Sequence, residues 1–364
     1  MKKTDLVQIL NLLNVPKLGS HRVRNIIAHF KNGDAVFSVS KKELCLKSGI
    51  DIALAESILN YNDFAFGEKE LEKAEKSNVS IITIWDKEYP VMLKKIYDPP
   101  AILFTKGQPL ISEEDSVAVV GTRKYTPYGK TMTQSITKDL NSAGITVVSG
   151  LARGIDTISH KETVKNNART IAVLGSGIDV IYPAENRKLF HDICQKGTVI
   201  SEFRFGTKPD AGNFPQRNRI ISGLSHATVV IEAGHRSGAI LTALNAVDQN
   251  RDVFAVPGRV TDPQSKGTIR LIRHGAFPVE RGKQVIQSIQ PKLFKPRKSV
   301  QEKINLQLTD NERVLFNFLN HQPLHIDDIV SKSGVPLTKT LQLLLGMELK
   351  GVVIQLSGKQ FVRA

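Results

Sequence analysis

The chain has 364 residues, 41 % apolar and 23 % charged, an ordinary globular composition with length enough for two or three separate cores. Its formal charge of +15 is not ordinary: basic residues exceed acidic ones 16 to 13 over residues 1–110, 23 to 16 over 111–290 and 11 to 6 over 291–364, so the excess belongs to folded surfaces suited to a polyanion. Two cysteines, Cys45 and Cys194, expected as buried core thiols, exclude a disulfide scaffold or four-cysteine zinc site, and no run reaches the roughly 18 apolar residues of a membrane span.

The opening MKKTDLVQILNLL is interrupted by Asp5, Gln8 and Asn11, which makes it an amphipathic helix and not a signal peptide. With the cysteine usage, this sets the expected location as cytoplasmic. Residues 1–78 read as a helical domain. Pro16, Leu18 and Gly19 turn the chain before a second helix, HRVRNIIAHF, and PKLGSHRVRNII resembles a helix-hairpin-helix, a unit that either holds a DNA phosphate or simply packs. The alternating Glu and Lys of GEKELEKAEKSN read as a solvated helix face with i,i+4 pairs. VSIITI is then a first strand, and Pro90, Pro99 and Pro100 force an extended connection.

Residues 79–290 carry the largest domain. VAVVG, ITVVSG, TIAVLG, GTVISEF, ATVVIEA and DVFAVPG are short apolar runs separated by helical patterns, which predicts a Rossmann-like, doubly wound, mostly parallel α/β sheet. Parallel strands all end at one edge, so Arg123, Arg153, Arg187, Lys188, Arg236 and Arg259 are expected on one rim beside glycine-lined helix starts that offer N–H groups to phosphate.

Within that rim the turns differ in specificity. In GTR, Gly121 closes a strand, Thr122 caps a helix or meets a phosphate oxygen, and Arg123 projects outward. In SGLARGIDTISH, Asp156 favours a helix start and lies four residues from His160, within reach of it. No third ligand makes this a metal site, and no nucleophile accompanies it. GSGIDVIYPAENRK lacks the GxGxxG spacing of a dinucleotide site, so neither NAD nor FAD is expected, nor any other cofactor. GNFPQRNRIISGLS is the least generic stretch: Pro215 biases Phe214 toward an extended loop conformation beside Arg217 and Arg219, an arrangement that stacks bases and grips phosphates. The alternatives are that Phe214 plugs the core and that the arginines pair with Glu202 or Asp210. In EAGHRSGAILT, Ser237 is an N-cap, and Glu232 is expected to orient Arg236 or one of the RNR arginines. SKGTIRLIRHGA adds Lys266, Arg270 and Arg273 to the basic surface.

Residues 291–304 hold five basic residues and two prolines and read as a linker. Residues 305–364 give three helices, the first opened by a capping box of Thr309 and Glu312, and a Ser-Gly hairpin, which together resemble a winged helix. Its third helix offers Lys339 and Lys350 but few polar side chains for base edges, so a partner surface or nonspecific contact is expected there rather than base readout.

Taken together, GTR, SGLARGIDTISH, GSGIDVIYPAEN, the GNFPQRNR stretch, EAGHRSGAILTA and VFAVPG resemble the DNA-processing protein A family (DprA, also Smf) over essentially the whole chain. That resemblance implies a non-catalytic mediator that binds and protects single-stranded DNA, works as a homodimer through the Rossmann-like domain, and loads the RecA recombinase in natural transformation. It implies a DNA pocket containing Gly121, Thr122, Arg123, Phe214, Arg217 and Arg219, to which the basic rim adds Arg153, Lys188 and Arg236. A lysine found in some relatives beside the GNF or YP positions is here Ala211 or Ala184, leaving Lys188 or Lys208 as substitutes. The rival reading is a Rossmann-like nucleotide monophosphate hydrolase, since glycine-rich strand ends also suit a single phosphate. Such hydrolases resemble one another in a PGGxGT turn followed by a glutamate, and EAGHRSGAILT has neither.

Overall fold

The computed structural model describes residues 3–30, 33–290, 308–320, 323–350, 352–356 and 359–363. The expected linker, 291–304, lies outside the described residues. The chain forms two compact units, Met1–Lys295 and Pro296–Ala364.

The first unit is organised by a nine-stranded sheet: β1 (Ser80–Thr83), β2 (Ile102–Gly107), β3 (Ser116–Val120), β4 (Thr146–Ser149), β5 (Thr170–Leu174), β6 (Thr198–Ser201), β7 (Ala227–Val230), β8 (Asp252–Ala255) and β9 (Phe277–Pro278). Their order is β1-β2-β6-β5-β4-β3-β7-β8-β9. Strands β3 to β9 pair in parallel, whereas β1 and β2 run antiparallel at one edge, with Thr105 opposite Ile200. The Pro-rich connection thus joins the edge strand β1 to β2, which pairs it to the parallel sheet.

Alternation of side chains along each strand divides the core in two. Val117 and Val119 of β3 join Val147, Val229 and Phe254 in one cluster, while Ala118 and Val120 join Val148, Val173 and Val230 in the other. Both faces being covered explains why the runs read as continuously apolar. Each buried Val or Ile contributes about 1.5–3 kcal/mol relative to exposure, an upper range for such bookkeeping.

The N-terminal helices, from Lys3–Asn14 to Phe66–Lys76, do not close a core of their own. Leu12, Val23, Ile26 and Leu44 share one cluster with Ile102 and Phe104 of the antiparallel edge and with Phe205. Cys45 and Cys194 are free and only half-buried, against the expectation of full burial, because each packs at the margin of a cluster; burial still pushes the Cys194 thiol up to about 11. No helix among the described residues is long and apolar enough to cross a membrane.

The second unit is a winged helix: helices Asp310–Phe318, Ile326–Ser333 and Leu337–Leu349 with β10 (Leu324–His325), β11 (Val353–Leu356) and β12 (Gln360–Arg363). The expected capping box forms, Thr309 Oγ1 accepting from Glu312 N. The hairpin gains a third short strand, giving the order β10-β12-β11.

Candidate nucleic-acid interface

The parallel sheet winds outward from β3 in two directions: through β4, β5 and β6 on one side, then back across to β7, β8 and β9 on the other. The loops after β3 and β7 therefore diverge and leave a crevice at their carboxyl ends, where ligands bind in such sheets. A cavity of about 510 Å³ occupies it, lined by Gly121, Thr122 and Arg123 after β3, Gly234, Arg236 and Gly238 after β7, and Phe214, Arg217 and Asn218 from the helix Asn213–Gly223.

Close backbone approach builds the crevice walls. Thr122 N donates to Glu232 O at 2.7 Å, and Ile155 N donates to Thr122 O at 3.2 Å, which lays the SGLARG loop against the GTR turn. Gly154 sits in that contact at φ +83°, and a Cβ there would come within 2.2 Å of Thr122 O, so both conformation and space demand glycine. The Glu232 carboxylate is buried and accepts from Thr126 N at 2.9 Å and from Thr126 Oγ1. Thr126 is the N-cap of the helix Pro127–Ser142, so Glu232 secures the GTR loop and the start of that helix. This corrects the expectation that it orients an arginine.

Phe214 is held differently from the sequence expectation. It lies in the first turn of the helix Asn213–Gly223 rather than in an extended loop, because Pro215 falls among the first helical residues, whose N–H groups have no partner to lose. The ring packs over Gly175 at the end of β5, where a Cβ would be 2.8 Å from Phe214 Cδ1. The Arg123 guanidinium stands 5.3 Å from the ring centroid, and the Tyr182 ring lies 5.8 Å away at a tilt of 42°. An exposed cation and a half-buried aromatic face thus share one wall of the crevice, and the second aromatic joins them in the cavities adjoining it.

Arg217 is buried. Its Nη1 donates to Gly150 O at 2.6 Å and also to Val173 O, joining the ends of β4 and β5. Burial pulls its guanidinium down to about 10, opposed by Asp156 and reinforced by Arg123. Asp156, itself buried, accepts from Gly150 N at 3.1 Å, and burial raises its carboxyl above the usual range while Arg217 opposes the rise. The expected Asp156–His160 contact does not form. The buried His160 places Nδ1 2.8 Å from Thr170 Oγ1, and burial first, then the Arg217 charge, holds it at about 3, so it is neutral.

A profile of the DNA recombination-mediator protein A family matches residues 80–290, and the DprA winged helix domain matches residues 302–359. The chain belongs to this family. Its relatives include the DNA processing protein DprA of Bacillus subtilis, 42 % identical over 59 % of this chain and 72 % of the relative. Protein Smf of Escherichia coli is 32 % identical over 86 % of this chain and 84 % of its own length. Among solved structures, DprA of Streptococcus pneumoniae superposes with a TM-score of 0.68 at 33 % identity, over 79 % of this chain and all but a fraction of the other (98 %). DNA processing protein A of Helicobacter pylori, a single-stranded DNA binder, gives 0.54 at 29 % identity over 59 % and 97 %.

Of the DprA-like positions named from sequence, the structure gathers Gly121, Thr122, Arg123, Phe214, Arg217 and Arg236 around one cavity. Arg153 lines two adjoining cavities but is held by Glu185 through two 2.8 Å bonds. The rim is narrower than expected. Arg219 stands two residues from Arg217, hence on another face of the helix, and is taken up by Glu202 at 2.6 Å and Asp98 at 3.7 Å. Glu202 also accepts from Ser20 Oγ at 2.9 Å and Asp98 pairs with Arg24 at 3.2 Å, so the PKLGSHRVR hairpin spends Ser20 and Arg24 on packing. Lys188 is exposed on the helix Arg187–Lys196 and lines none of these cavities; Arg187, Lys208 and Arg259 line none either. Ala211 does line one of them, leaving the neighbouring lysine position without a charge. Sequence reasoning missed Tyr182 and Asn218, whose roles depend on the crossing of separate loops. Gly175 of the GSG turn is the available signal, since it opens the space that Phe214 fills beside Tyr182.

Proposed function

We propose that this chain is a non-catalytic recombination mediator that binds single-stranded DNA in the crevice between β3 and β7, without reading base sequence. In this reading it works in the cytoplasm, protects incoming DNA and loads the RecA recombinase during natural transformation. The observation that carries the proposal is the wall formed by Arg123, Phe214 and Tyr182: a cation for the backbone beside faces on which any base stacks, each worth about 1–3 kcal/mol. Gly121, Thr122 and Gly238 offer a close backbone approach, and Arg236 a second exposed cation. Arg217 supports the wall from within. The family relation to a single-stranded DNA binder supports the same reading.

Homodimerisation through this domain is supported by Leu241, Leu244 and Val247, exposed in a row on the helix Gly238–Asp248, an apolar face that a second copy would cover. Binding is favoured over hydrolysis of a nucleotide monophosphate by the fate of the carboxylates: Glu232 is spent on Thr126 and Asp156 on Gly150 N and Arg217.

Fluorescence anisotropy with single-stranded and duplex oligonucleotides at two ionic strengths tests the proposal. If four to six phosphates are neutralised, single-strand affinity falls about a hundredfold from 50 to 200 mM salt. Preference for duplex, or release of free base from nucleoside monophosphates, contradicts it.

A further inference from the structure

Beside the crevice runs a second groove of about 650 Å³, between the helices Pro127–Ser142 and Ile155–Lys165, which shares Arg123 and Arg153 with the cavities already described. Lys130 enters it from the first helix, and Lys161 and Lys165 from the second. We propose that single-stranded DNA leaving the crevice continues along this groove, its phosphates tracked by Lys130, Lys161 and Lys165. The inference rests on the reading of the crevice as a single-stranded DNA site and extends its path.

Four observations carry it. Lys161 and Lys165 are exposed like charges one helical turn apart, an arrangement that weakens a helix unless an anion lies across it. Of the two carboxylates of the groove, Glu185 is held by Arg153, with Lys161 acting on it at longer range, and the buried Glu162 accepts from Gln134 and Asn166, each at 3.4 Å. Among the described residues no ion pair holds Lys130, Lys161 or Lys165. Finally, Tyr125 lines the same groove and is 46 % exposed, a stacking face beside the lysines. A merely solvated helix face needs neither a continuous groove with the crevice nor an aromatic in it.

The test compares the full chain with the triple variant Lys130→Gln, Lys161→Gln, Lys165→Gln, using oligo-dT of about 5 nucleotides, too short to leave the crevice, and about 20 nucleotides. Thermal melting of the variant should match or slightly exceed that of the unaltered chain, since all three side chains are exposed and the Lys161–Lys165 repulsion is removed. The expected result is equal affinity for the short oligomer, about tenfold weaker binding of the long one, and a salt slope for the long one flatter by about two units. Unchanged affinity and slope for the long oligomer overturn the groove, and if Arg123→Ala weakens both lengths at the same time, the crevice reading survives that failure. A triple variant that loses both lengths equally overturns it too, because the lysines then act on the crevice itself. Absence of binding by the unaltered chain at either length removes both readings together.

Discussion

The crevice of the sheet and the third helix of the winged helix both offer a surface of the kind that meets nucleic acid, and they differ in what fills them. The crevice collects Arg123 and Arg236 around an aromatic wall and glycine turns. The helix Leu337–Leu349 instead exposes Leu337, Leu341 and Leu345, while Lys350 at its end is held by Glu312 at 2.7 Å. One surface is built from charge and flat faces, the other from an aliphatic stripe. A fold associated with DNA reading is therefore no guide to where the DNA goes; the side chains at each surface are.

The largest effect that would sharpen this contrast is expected at Arg217. Arg217→Ala removes the charge that opposes the rise of the buried Asp156 carboxyl and leaves the carbonyls of Gly150 and Val173 without their donor, which should cost about 2–3 kcal/mol in a urea titration of folding, with DNA affinity lost as a consequence. Next, Phe214→Ala should weaken single-strand binding by about 1–3 kcal/mol for each stacked base with little change in stability. Gly175→Ala, whose Cβ intrudes to 2.8 Å on the ring, should shift affinity in the same direction by tilting the platform. Arg219→Ala should do the reverse: folding loses about 1.5 kcal/mol with the Glu202 and Asp98 pairs, and DNA affinity stays put. A loss of affinity without loss of stability at Arg219 would break the assignment of these two arginines to different tasks. The smallest effect is expected at Lys339→Ala on the winged helix, less than about twofold in single-strand affinity by anisotropy.

The parallel sheet and its glycine-ended strands were legible because buried strands leave unbroken apolar runs, and the position of Gly121, Thr122 and Arg123 followed from the strand end alone. What stayed hidden depends on contacts between distant segments. Whether an arginine reaches a cavity or an internal carboxylate is decided by helix phase, and Arg217 and Arg219 part company over two residues that look equivalent in a linear reading. Phe214 entered a helix because the free N–H groups of a first turn accept a proline, which overrode the extended bias that Pro215 suggests. The sharing of one core by the N-terminal helices and strand β2 depends on Phe104 and Phe205 meeting at 5.5 Å across 100 intervening positions, for which the local pattern carries no signal. Lys188 shows the same limit from the other side: its turn has the right chemistry, and the helix that follows carries it away from the crevice.

Whether Arg123 touches the DNA backbone is decided by the salt dependence of binding of oligo-dT and oligo-dA to the unaltered chain and to Arg123→Ala. The substitution should weaken both oligomers alike and flatten the slope of log affinity against log salt by about 0.7. An unchanged slope, or a loss confined to one base, would contradict it.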